Sequence, residues 1–295
     1  MVTKLKPSNL TWWSSPAKLN LFLHINGQYE NGYHQLQSLF QLLDYGDELA
    51  FEINESGLIT LADPIMGVPE EDNLIIKAAK LLRQKAHNPN SNKLGCTIHL
   101  KKKLPMGGGI GGGSSNAATT LLILNHLWKC GLPNDAIAEL GLSLGADVPI
   151  FVHGNSAFAE GVGEKLTYTS LPSTCYLVVF PNCHISTAEI FKDPKLPRNT
   201  PKIDFSEYQF SNTKNDCEKL VCERHADVAM VLKWLLEYAP SRMTGTGACV
   251  FAMFEQRKEA LDVQALLPNN MTSFVANGVD SSPLHNQIQA QNLIV

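Results

Sequence analysis

The chain has 295 residues, enough for roughly two domains, and 44% of them are hydrophobic and 18% charged, an ordinary globular composition. Its 24 basic and 28 acidic side chains give a net charge of -4, without the excess of basic residues typical of proteins that bind nucleic acid or anionic membranes, and we expect neither partner. The seven cysteines include no C-x-x-C pair, so we expect reduced thiols and neither a disulfide framework nor a zinc site. No apolar run approaches the roughly 20 residues that span a bilayer, and we expect a cytoplasmic protein.

A first strand is predicted over residues 17–25, where leucine and isoleucine occupy every second position. If the face with Leu19 and Leu21 is buried, Lys18 and Asn20 must lie together on the opposite face of the strand. That opposite face is either an ordinary solvent-exposed face or part of a site. The strand alone leaves both possibilities open.

A second strand is predicted over residues 96–101, where apolar and polar side chains alternate. Six of the seven residues at 107–113 are glycines, and an apolar helix follows with Ser114 or Ser115 as its expected N-cap. Bare backbone amides beside a helix N-terminus favour an anion, so this glycine-rich loop predicts a site for a phosphate group. The lysines at 101–103 either add charge to that site or form a solvated strand end.

Three known glycine-rich motifs do not match this loop. A P-loop requires a lysine directly after its last glycine, where this chain has Ser114. A dinucleotide-binding fingerprint can be placed on Gly107, Gly109 and Gly112, but no second strand with an acidic residue follows at the required distance. The glycine-rich loop of protein kinases lies between strands and is not followed by a helix.

Four later segments complete the sequence pattern. Asp147 lies between apolar residues and is either a turn-forming residue or a working acid or base. Residues 244–247 precede an apolar strand and form either a tight turn or a second loop that approaches phosphate. The polar segment 192–213 contains three prolines and is expected to face or cover the substrate. Residues 281–295 are polar, and we expect part of them to be frayed.

Taken together, these segments resemble the three motifs of one superfamily. It is the superfamily of small-molecule kinases typified by galactokinase, homoserine kinase, mevalonate kinase and phosphomevalonate kinase, and the matching segments are residues 16–21, 105–118 and 244–248. Within it, the chain resembles the 4-diphosphocytidyl-2-C-methyl-D-erythritol kinases at residues 31–34, 42–47, 145–149 and 191–194. The resemblance extends from about residue 15 to residue 285.

The resemblance implies an α/β (α+β) fold, the two-domain small-molecule kinase fold, with the active site between the domains. The N-terminal domain would be ribosomal-protein-S5-like and the C-terminal domain ferredoxin-like. Residues 1–157, together with the C-terminal tail 276–295, would form the ATP-binding catalytic domain, and residues 158–275 the substrate-binding domain. The family also implies a monomer or a weak homodimer.

The implied activity is phosphorylation by ATP with Mg²⁺. The implied acceptor is the 2-hydroxyl group of 4-diphosphocytidyl-2-C-methyl-D-erythritol, a cytidine diphosphate derivative of methylerythritol on the non-mevalonate route to isoprenoid precursors. Asp147 would accept the hydroxyl proton, while Lys18 would keep Asp147 ionised and stabilise the transferring γ-phosphoryl group. The residues implied to bind ATP are Pro105, Met106, Gly107, Gly108, Gly109, Ile110, Gly111, Gly112, Gly113, Ser114 and Ser115.

The implied substrate-binding residues lie in both halves of the chain. In the family an aromatic pair encloses the cytosine ring and a histidine recognises its edge, and the residues at those positions here are Tyr33, Phe191 and His34. Asn20 and Thr187 would hold the methylerythritol phosphate end of the substrate.

Two alternatives stay open at this stage: another kinase of the same superfamily, such as homoserine kinase, and a non-catalytic nucleotide-binding module. An oxidoreductase would require the protein to bind a nicotinamide cofactor.

Overall fold

A computed structural model describes residues 10–86 and 91–292. The strands are β1 (Trp13–Gln28), β2 (His34–Asn54), β3 (Ile59–Leu61), β4 (Gly95–Lys101), β5 (Ala157–Gly161), β6 (Lys165–Tyr168), β7 (Cys175–Phe180), β8 (Ser241–Met243), β9 (Val250–Phe254) and β10 (Thr272–Val279). The α-helices are α1 (Leu74–Lys85), α2 (Gly112–Leu127), α3 (Asn134–Leu142), α4 (Val148–His153), α5 (Thr187–Lys192), α6 (Glu218–Arg224), α7 (Ala226–Leu235), α8 (Arg257–Gln264) and α9 (Pro283–Ala290). Among these described helices, none has the length and apolar character needed to cross a membrane.

The N-terminal half is organised around the long strand β2. Its first part pairs antiparallel with β5, its last part pairs antiparallel with β4, and β1 runs antiparallel along most of its length. The helices α1, α2, α3 and α4 cover one face of this sheet and bury a continuous apolar core against it. The core includes Ile76, Ile98, Leu121 and Leu122, each fully buried.

The C-terminal half follows the order β7, α7, β8, β9, α8, β10, with α5 and α6 inserted before α7. Its strands lie in the spatial order β10-β7-β9-β8 and all pair antiparallel. This is the ferredoxin-like β-α-β-β-α-β arrangement that the sequence predicts for the second domain. The predicted two-domain α/β fold is confirmed.

The strand β10 connects the two halves because it changes partner along its length. Its residues 272–277 pair with β7, whereas Gly278 and Val279 pair with β2. The predicted division into residues 1–157 with 276–295 and residues 158–275 stays a proposal. The ends of the first range, residues 1–9 and 293–295, lie outside the described residues.

The face of β1 that carries Lys18 and Asn20 is buried. The side chains are 3% and 4% exposed, so interpreting this face as solvent-exposed is wrong. The backbone N–H of Lys18 donates to the carbonyl oxygen of Ile110, and that of Asn20 donates to Oγ1 of Thr244. Two distant loops therefore cover this face of the strand, a contact that the local alternation of residues cannot reveal.

The helix after the glycine-rich loop begins earlier than the sequence predicts. Its N-cap is Gly111, in the left-handed region with φ 74°, and not Ser114 or Ser115. The last glycines of the loop already belong to the first turn, where the backbone N–H of Ser115 donates to the carbonyl oxygen of Gly111. The strand predicted at 96–101 is confirmed as β4.

The C-terminal helix α9 is docked on the N-terminal half, so residues 283–290 are not the part of 281–295 that is frayed; the end of this segment, residues 293–295, lies outside the described residues. Leu284 and Ile288 are one helical turn apart and are 1% and 5% exposed within the N-terminal core. The Ser282 side chain caps the helix by accepting from the backbone N–H of Leu284. An apolar pair in a polar stretch therefore packs this helix against the N-terminal core.

Truncation of one anchoring side chain tests this docking. Because Leu284 is fully buried, we expect Leu284→Ala to lower the free energy of unfolding by about 2–5 kcal/mol, measured by urea denaturation. The control is Leu266→Ala, since Leu266 is 61% exposed and its truncation should cost less than about 0.5 kcal/mol. Equal losses in the two variants would contradict a docked α9.

Candidate functional site

Two cavities of about 800 and 470 Å³ lie on either side of the glycine-rich loop. They share four lining residues, Gly109, Gly111, Ser114 and Thr187. The larger cavity, called the first cavity below, lies along β1 and reaches residues of both halves of the fold. The smaller, second cavity lies against the loop and the start of α1. The shared lining makes them two parts of one site.

The ammonium group of Lys18 lies at the wall of the first cavity. Its Nζ is 3.1 Å from Oδ2 of Asp147, and it donates to Oδ1 of Asn20 at 2.5 Å and to the carbonyl oxygen of Gly109 at 3.3 Å. A buried cation is costly unless it is paired and hydrogen-bonded, and this cation is both. Its position is therefore fixed by partners from three separate segments.

Asp147 lies at the N-cap position of α4, and its side chain is 33% exposed. It makes no capping hydrogen bond there, so its carboxylate is free to pair with Lys18. Among the described residues that line the first cavity, Asp147 is the only acidic one. A carboxylate held at a cavity wall by a cation can accept a proton from a hydroxyl group bound in the cavity.

The three segments singled out in the sequence meet at this point. Oγ1 of Thr244 accepts from the backbone N–H of Asn20 at 2.9 Å and donates to the carbonyl oxygen of Gly109 at 3.4 Å. Gly245 and Thr246 line the first cavity beside the loop. The turn at residues 244–247 is thus both a turn and a part of the cavity wall.

The glycine-rich loop has the backbone that a phosphate cradle requires. Gly107, Gly109 and Gly111 all have φ between 70° and 74°. A Cβ on Gly109 would lie 2.5 Å from the carbonyl oxygen of Thr244, so glycine also permits the close approach of the two loops. Every residue from Pro105 to Ser114 lines the second cavity.

Ser115 is the one predicted ATP-binding residue that the structure does not place in either cavity wall. It is fully buried, and its hydroxyl oxygen is hydrogen-bonded to Oγ of Ser15 at 2.9 Å. The single hydroxyl hydrogen of Ser15 is donated to Oδ1 of Asn116 at 2.6 Å. Ser115 therefore contacts β1 behind the loop.

The lysines before the loop have different positions. Lys102 lines the second cavity and pairs with Asp47 at 2.7 Å. Lys101 and Lys103 pair with Glu48 at 3.0 and 2.5 Å. Their hydrogen bonds lower the pKa of Glu48, with the larger effect from Lys103 and the smaller from Lys101. Lys102 therefore lies at the wall of the second cavity with its charge paired to Asp47, whereas the other two lysines form a surface ion-pair group.

Asp47, which ends the matching segment 42–47 and to which the sequence assigned no role, supports the loop from behind. It is 1% exposed, and its Oδ1 accepts from the backbone N–H groups of Lys103 and Leu104 at 2.7 and 2.8 Å. Its Oδ2 accepts from Nδ2 of Asn116 at 3.0 Å, in addition to Lys102. One carboxylate therefore connects the end of β4 to the first turns of α2.

The far end of the first cavity is aromatic, and Tyr33, His34 and Phe191 line it. The rings of His34 and Phe191 are stacked, with centroids 5.0 Å apart and an angle of 30° between their planes. Tyr33 is 64% exposed, which is high for a large aromatic side chain. Burial, and then the charge of Arg198, lower the pKa of His34.

The structure therefore brings Lys18, Asn20, Asp147 and Thr187 into one cavity together with the aromatic residues. Thr187 is hydrogen-bonded to Thr246, with 2.9 Å between the two hydroxyl oxygens. The lining residues that the sequence did not identify include Lys192, Arg198 and Thr246, which belong to segments it did single out. The sequence assigned no role to these three side chains, and the contact that brings Arg198 to the aromatic residues, with His34, spans 164 positions.

Comparison with known proteins gives consistent matches over both halves. The family model described as GHMP kinases N terminal domain matches residues 73–155, and the model described as GHMP kinases C terminal matches residues 204–272. The chain is 63% identical over 279 residues to a 4-diphosphocytidyl-2-C-methyl-D-erythritol kinase of Pseudoalteromonas atlantica, covering 95% of this chain and 96% of the relative. It is 56% identical to the kinase of the same name from Shewanella woodyi, covering 92% and 95%.

Solved structures share the fold. A crystal structure of 4-(cytidine 5'-diphospho)-2C-methyl-D-erythritol kinase matches with a TM-score of 0.79 and 29% identity, covering 91% of this chain and 100% of that one. The mevalonate kinase of Methanococcus jannaschii matches with a TM-score of 0.62 and 16% identity, covering 93% and 100%. At that identity the second likeness concerns the fold alone.

A substitution in the loop tests its role as a phosphate cradle. The Cβ of Gly111→Ala would lie 2.8 Å from the ring of Phe151, so we expect the loop to shift and the affinity for ATP, measured by calorimetric titration, to fall at least about tenfold. The control is Gly131→Ala, because Gly131 also has a positive φ, of 68°, but no atom within 4 Å of the added Cβ. Unchanged ATP affinity in Gly111→Ala would remove the loop from nucleotide binding.

Proposed function

The chain belongs to the 4-diphosphocytidyl-2-C-methyl-D-erythritol kinase family of the GHMP kinases, and on that basis we propose that its two adjoining cavities bind the cytidyl substrate and ATP. The enzyme phosphorylates the 2-hydroxyl group of 4-diphosphocytidyl-2-C-methyl-D-erythritol at the expense of ATP, on the non-mevalonate route to isoprenoid precursors. The observation that carries the site assignment is the Lys18–Asp147 pair, 3.1 Å apart, at the meeting point of the cavities.

ATP binds with its phosphates against the loop from Pro105 to Ser114. The N–H groups of the loop and the N-terminus of α2 favour the phosphate charge, and Lys102 adds a cation at the same wall. The positive φ values at Gly107, Gly109 and Gly111 fit a backbone that presents its N–H groups to a phosphate.

Mg²⁺ is the proposed companion of ATP. Within residues 10–86 and 91–292, no group of three or more His, Cys, Asp or Glu side chains could hold a metal ion by itself. Mg²⁺ in nucleotide sites is usually held by phosphate oxygens, water and one or two carboxylates, which fits a cavity with Asp147 as its single acidic residue. When bound, Mg²⁺ would neutralise charge on the transferring phosphoryl group.

Asp147 acts as the general base. It takes the proton of the substrate hydroxyl group, whose oxygen forms a bond to the γ-phosphorus as the bond to the leaving ADP breaks. Lys18 holds the carboxylate in position and presents positive charge to the transferring group. Since phosphoryl transfer has a loose transition state, positioning and charge stabilisation provide most of the rate.

Asn20 supports this arrangement from the next position on the same face of β1. Its Oδ1 accepts from Lys18, and its Nδ2 donates to Oγ of Ser38 at 2.8 Å. The second N–H of the amide is left for the substrate. Thr187, hydrogen-bonded to Thr246 at the same cavity wall, would bind the methylerythritol phosphate end with it.

The aromatic end of the first cavity binds the cytosine ring. Tyr33 and Phe191 supply stacking surfaces, and His34 supplies a hydrogen-bonding group for the edge of the base. Large exposed aromatic side chains such as Tyr33 are consistent with a surface that a ligand covers. Homoserine has no ring that could stack on these aromatic side chains, so the aromatic end favours a cytidyl substrate. The 63% identity to a 4-diphosphocytidyl-2-C-methyl-D-erythritol kinase favours the same substrate.

A cytoplasmic location and a monomer or weak homodimer complete the proposal. All seven cysteines are free thiols, which supports a reducing compartment.

The proposed reaction is tested by ADP release with Mg-ATP and the cytidyl substrate, with homoserine and mevalonate assayed in parallel. We expect saturable turnover with the cytidyl substrate alone. Turnover with another acceptor would reassign the aromatic end, and ATP binding without turnover of any acceptor would indicate a non-catalytic module.

The role of Asp147 predicts a loss of turnover without a loss of nucleotide binding. Because the amide of Asp147→Asn cannot accept the proton, we expect kcat to fall by about 10²–10⁴ while ATP affinity is kept. The matched control is Asp135→Asn, which changes an exposed carboxylate in the first turn of α3. Near-normal turnover in Asp147→Asn would exclude a general-base role.

The role of His34 predicts an effect confined to one substrate. We expect His34→Ala to raise KM for the cytidyl substrate about ten- to a hundredfold, because a buried polar partner of the base is lost, while KM for ATP stays unchanged. His126→Ala serves as control, since His126 lies at the end of α2 and lines neither cavity. Equal increases in both KM values would show that His34 only supports the fold.

A further inference from the structure

Arg198 lies in the polar segment after α5 and makes four hydrogen bonds through its guanidinium group. Nε donates to Nε2 of His34 at 3.0 Å, and Nη1 donates to the carbonyl oxygen of Leu196 at 2.9 Å. Nη2 donates to the carbonyl oxygens of Phe191 and Asp193, both at 2.9 Å. One planar group therefore connects the ring of His34 to the end of the helix that carries Phe191.

The hydrogen bond from Arg198 determines which nitrogen of His34 carries a proton. A guanidinium group has only N–H donors, so the ring nitrogen that it contacts must be an acceptor. Nε2 of His34 is therefore unprotonated, and in the neutral ring Nδ1 carries the hydrogen. Burial and the nearby charge of Arg198 both lower the pKa of His34, which favours this neutral ring at neutral pH.

We propose that Arg198 is a positioning residue that makes His34 a hydrogen-bond donor toward the base and thereby selects cytosine over uracil. The proposal rests on the proposed function, because it places the base of the cytidyl substrate beside His34 in the first cavity. Arg198 lines the same cavity and also fixes the end of α5, so one side chain sets both the stacking surface and the donor.

The chemistry of the two bases supports this selection. Cytosine presents an unprotonated N3 and a carbonyl oxygen, both acceptors, whereas uracil has N3–H, a donor, at the same place. A donor on Nδ1 of His34 pairs with N3 of cytosine and opposes N3–H of uracil. With the proton on Nε2 instead, Nδ1 would be an acceptor and the preference would reverse.

The first test needs no change to Arg198. Wild-type protein labelled with ¹⁵N-histidine is examined at neutral pH by two-bond ¹H–¹⁵N correlation, and the signals of His34 are assigned by their loss in His34→Gln. We expect a protonated Nδ1 and an unprotonated Nε2. A ring with the proton on Nε2, or with protons on both nitrogens, would overturn the proposal, whatever the enzyme phosphorylates.

The second test uses Arg198→Met, which removes the donor to Nε2. We expect the proton of His34 to move to Nε2 in the same spectrum, and kcat/KM for the cytidyl substrate to fall about ten- to a hundredfold. We expect no such fall in kcat/KM for the uridyl analogue, so the ratio of kcat/KM between the cytidyl and uridyl substrates decreases. KM for ATP stays unchanged.

The matched control is Arg224→Gln. Arg224 pairs with the buried carboxylate of Asp193 in the same segment but makes no contact with His34. We expect this variant to keep the proton of His34 on Nδ1 and to keep the wild-type ratio of kcat/KM between the cytidyl and uridyl substrates. If both variants lower kcat/KM for the cytidyl and the uridyl substrate by the same factor, Arg198 only stabilises the segment and the proposal is wrong. If wild-type protein does not phosphorylate the cytidyl substrate, the proposed function fails, and the spectrum still decides the role of Arg198.

Discussion

The arrangement of the site depends on one buried ammonium group. Lys18 is 3% exposed, and a cation removed from water to that degree costs several kcal/mol unless partners surround it. Its partners are Asn20 on its own strand, Gly109 in the loop and Asp147 before α4, from three separate parts of the chain. The need to satisfy this charge therefore fixes the position of the loop relative to the carboxylate, which is also the geometry that the reaction requires.

The same constraint explains why so much of the surrounding backbone is closely packed. Thr244 accepts from Asn20 and donates to Gly109, and the loop can approach Thr244 only because Gly109 has no Cβ. Behind the loop, the buried carboxylate of Asp47 holds the end of β4 and the start of α2. The loop, with its positive φ values, is thus supported on both sides by contacts of the protein's own residues.

The sequence predicted the local features and the segments of the site, and it missed contacts between distant residues. The alternation at 96–101 and the glycine run with its helix depend on near neighbours. The strand is found where the sequence places it, and the helix follows the glycine run but begins already at Gly112. The burial of Lys18 depends on loops more than ninety residues away, so the strand pattern alone could not distinguish a site from a solvent face. Arg198 meets His34 across 164 positions, and nothing in its own segment marks it.

The change of partner along β10 limits the motions available to the enzyme. Gly278 and Val279 pair with β2, while the preceding residues pair with β7, and Asp44 accepts from both the backbone and the side chain of Asn277 at 2.7 Å. A hinge that opened the two halves would have to break these bonds on every catalytic cycle. Movement of the loops that line the cavities would leave these bonds intact.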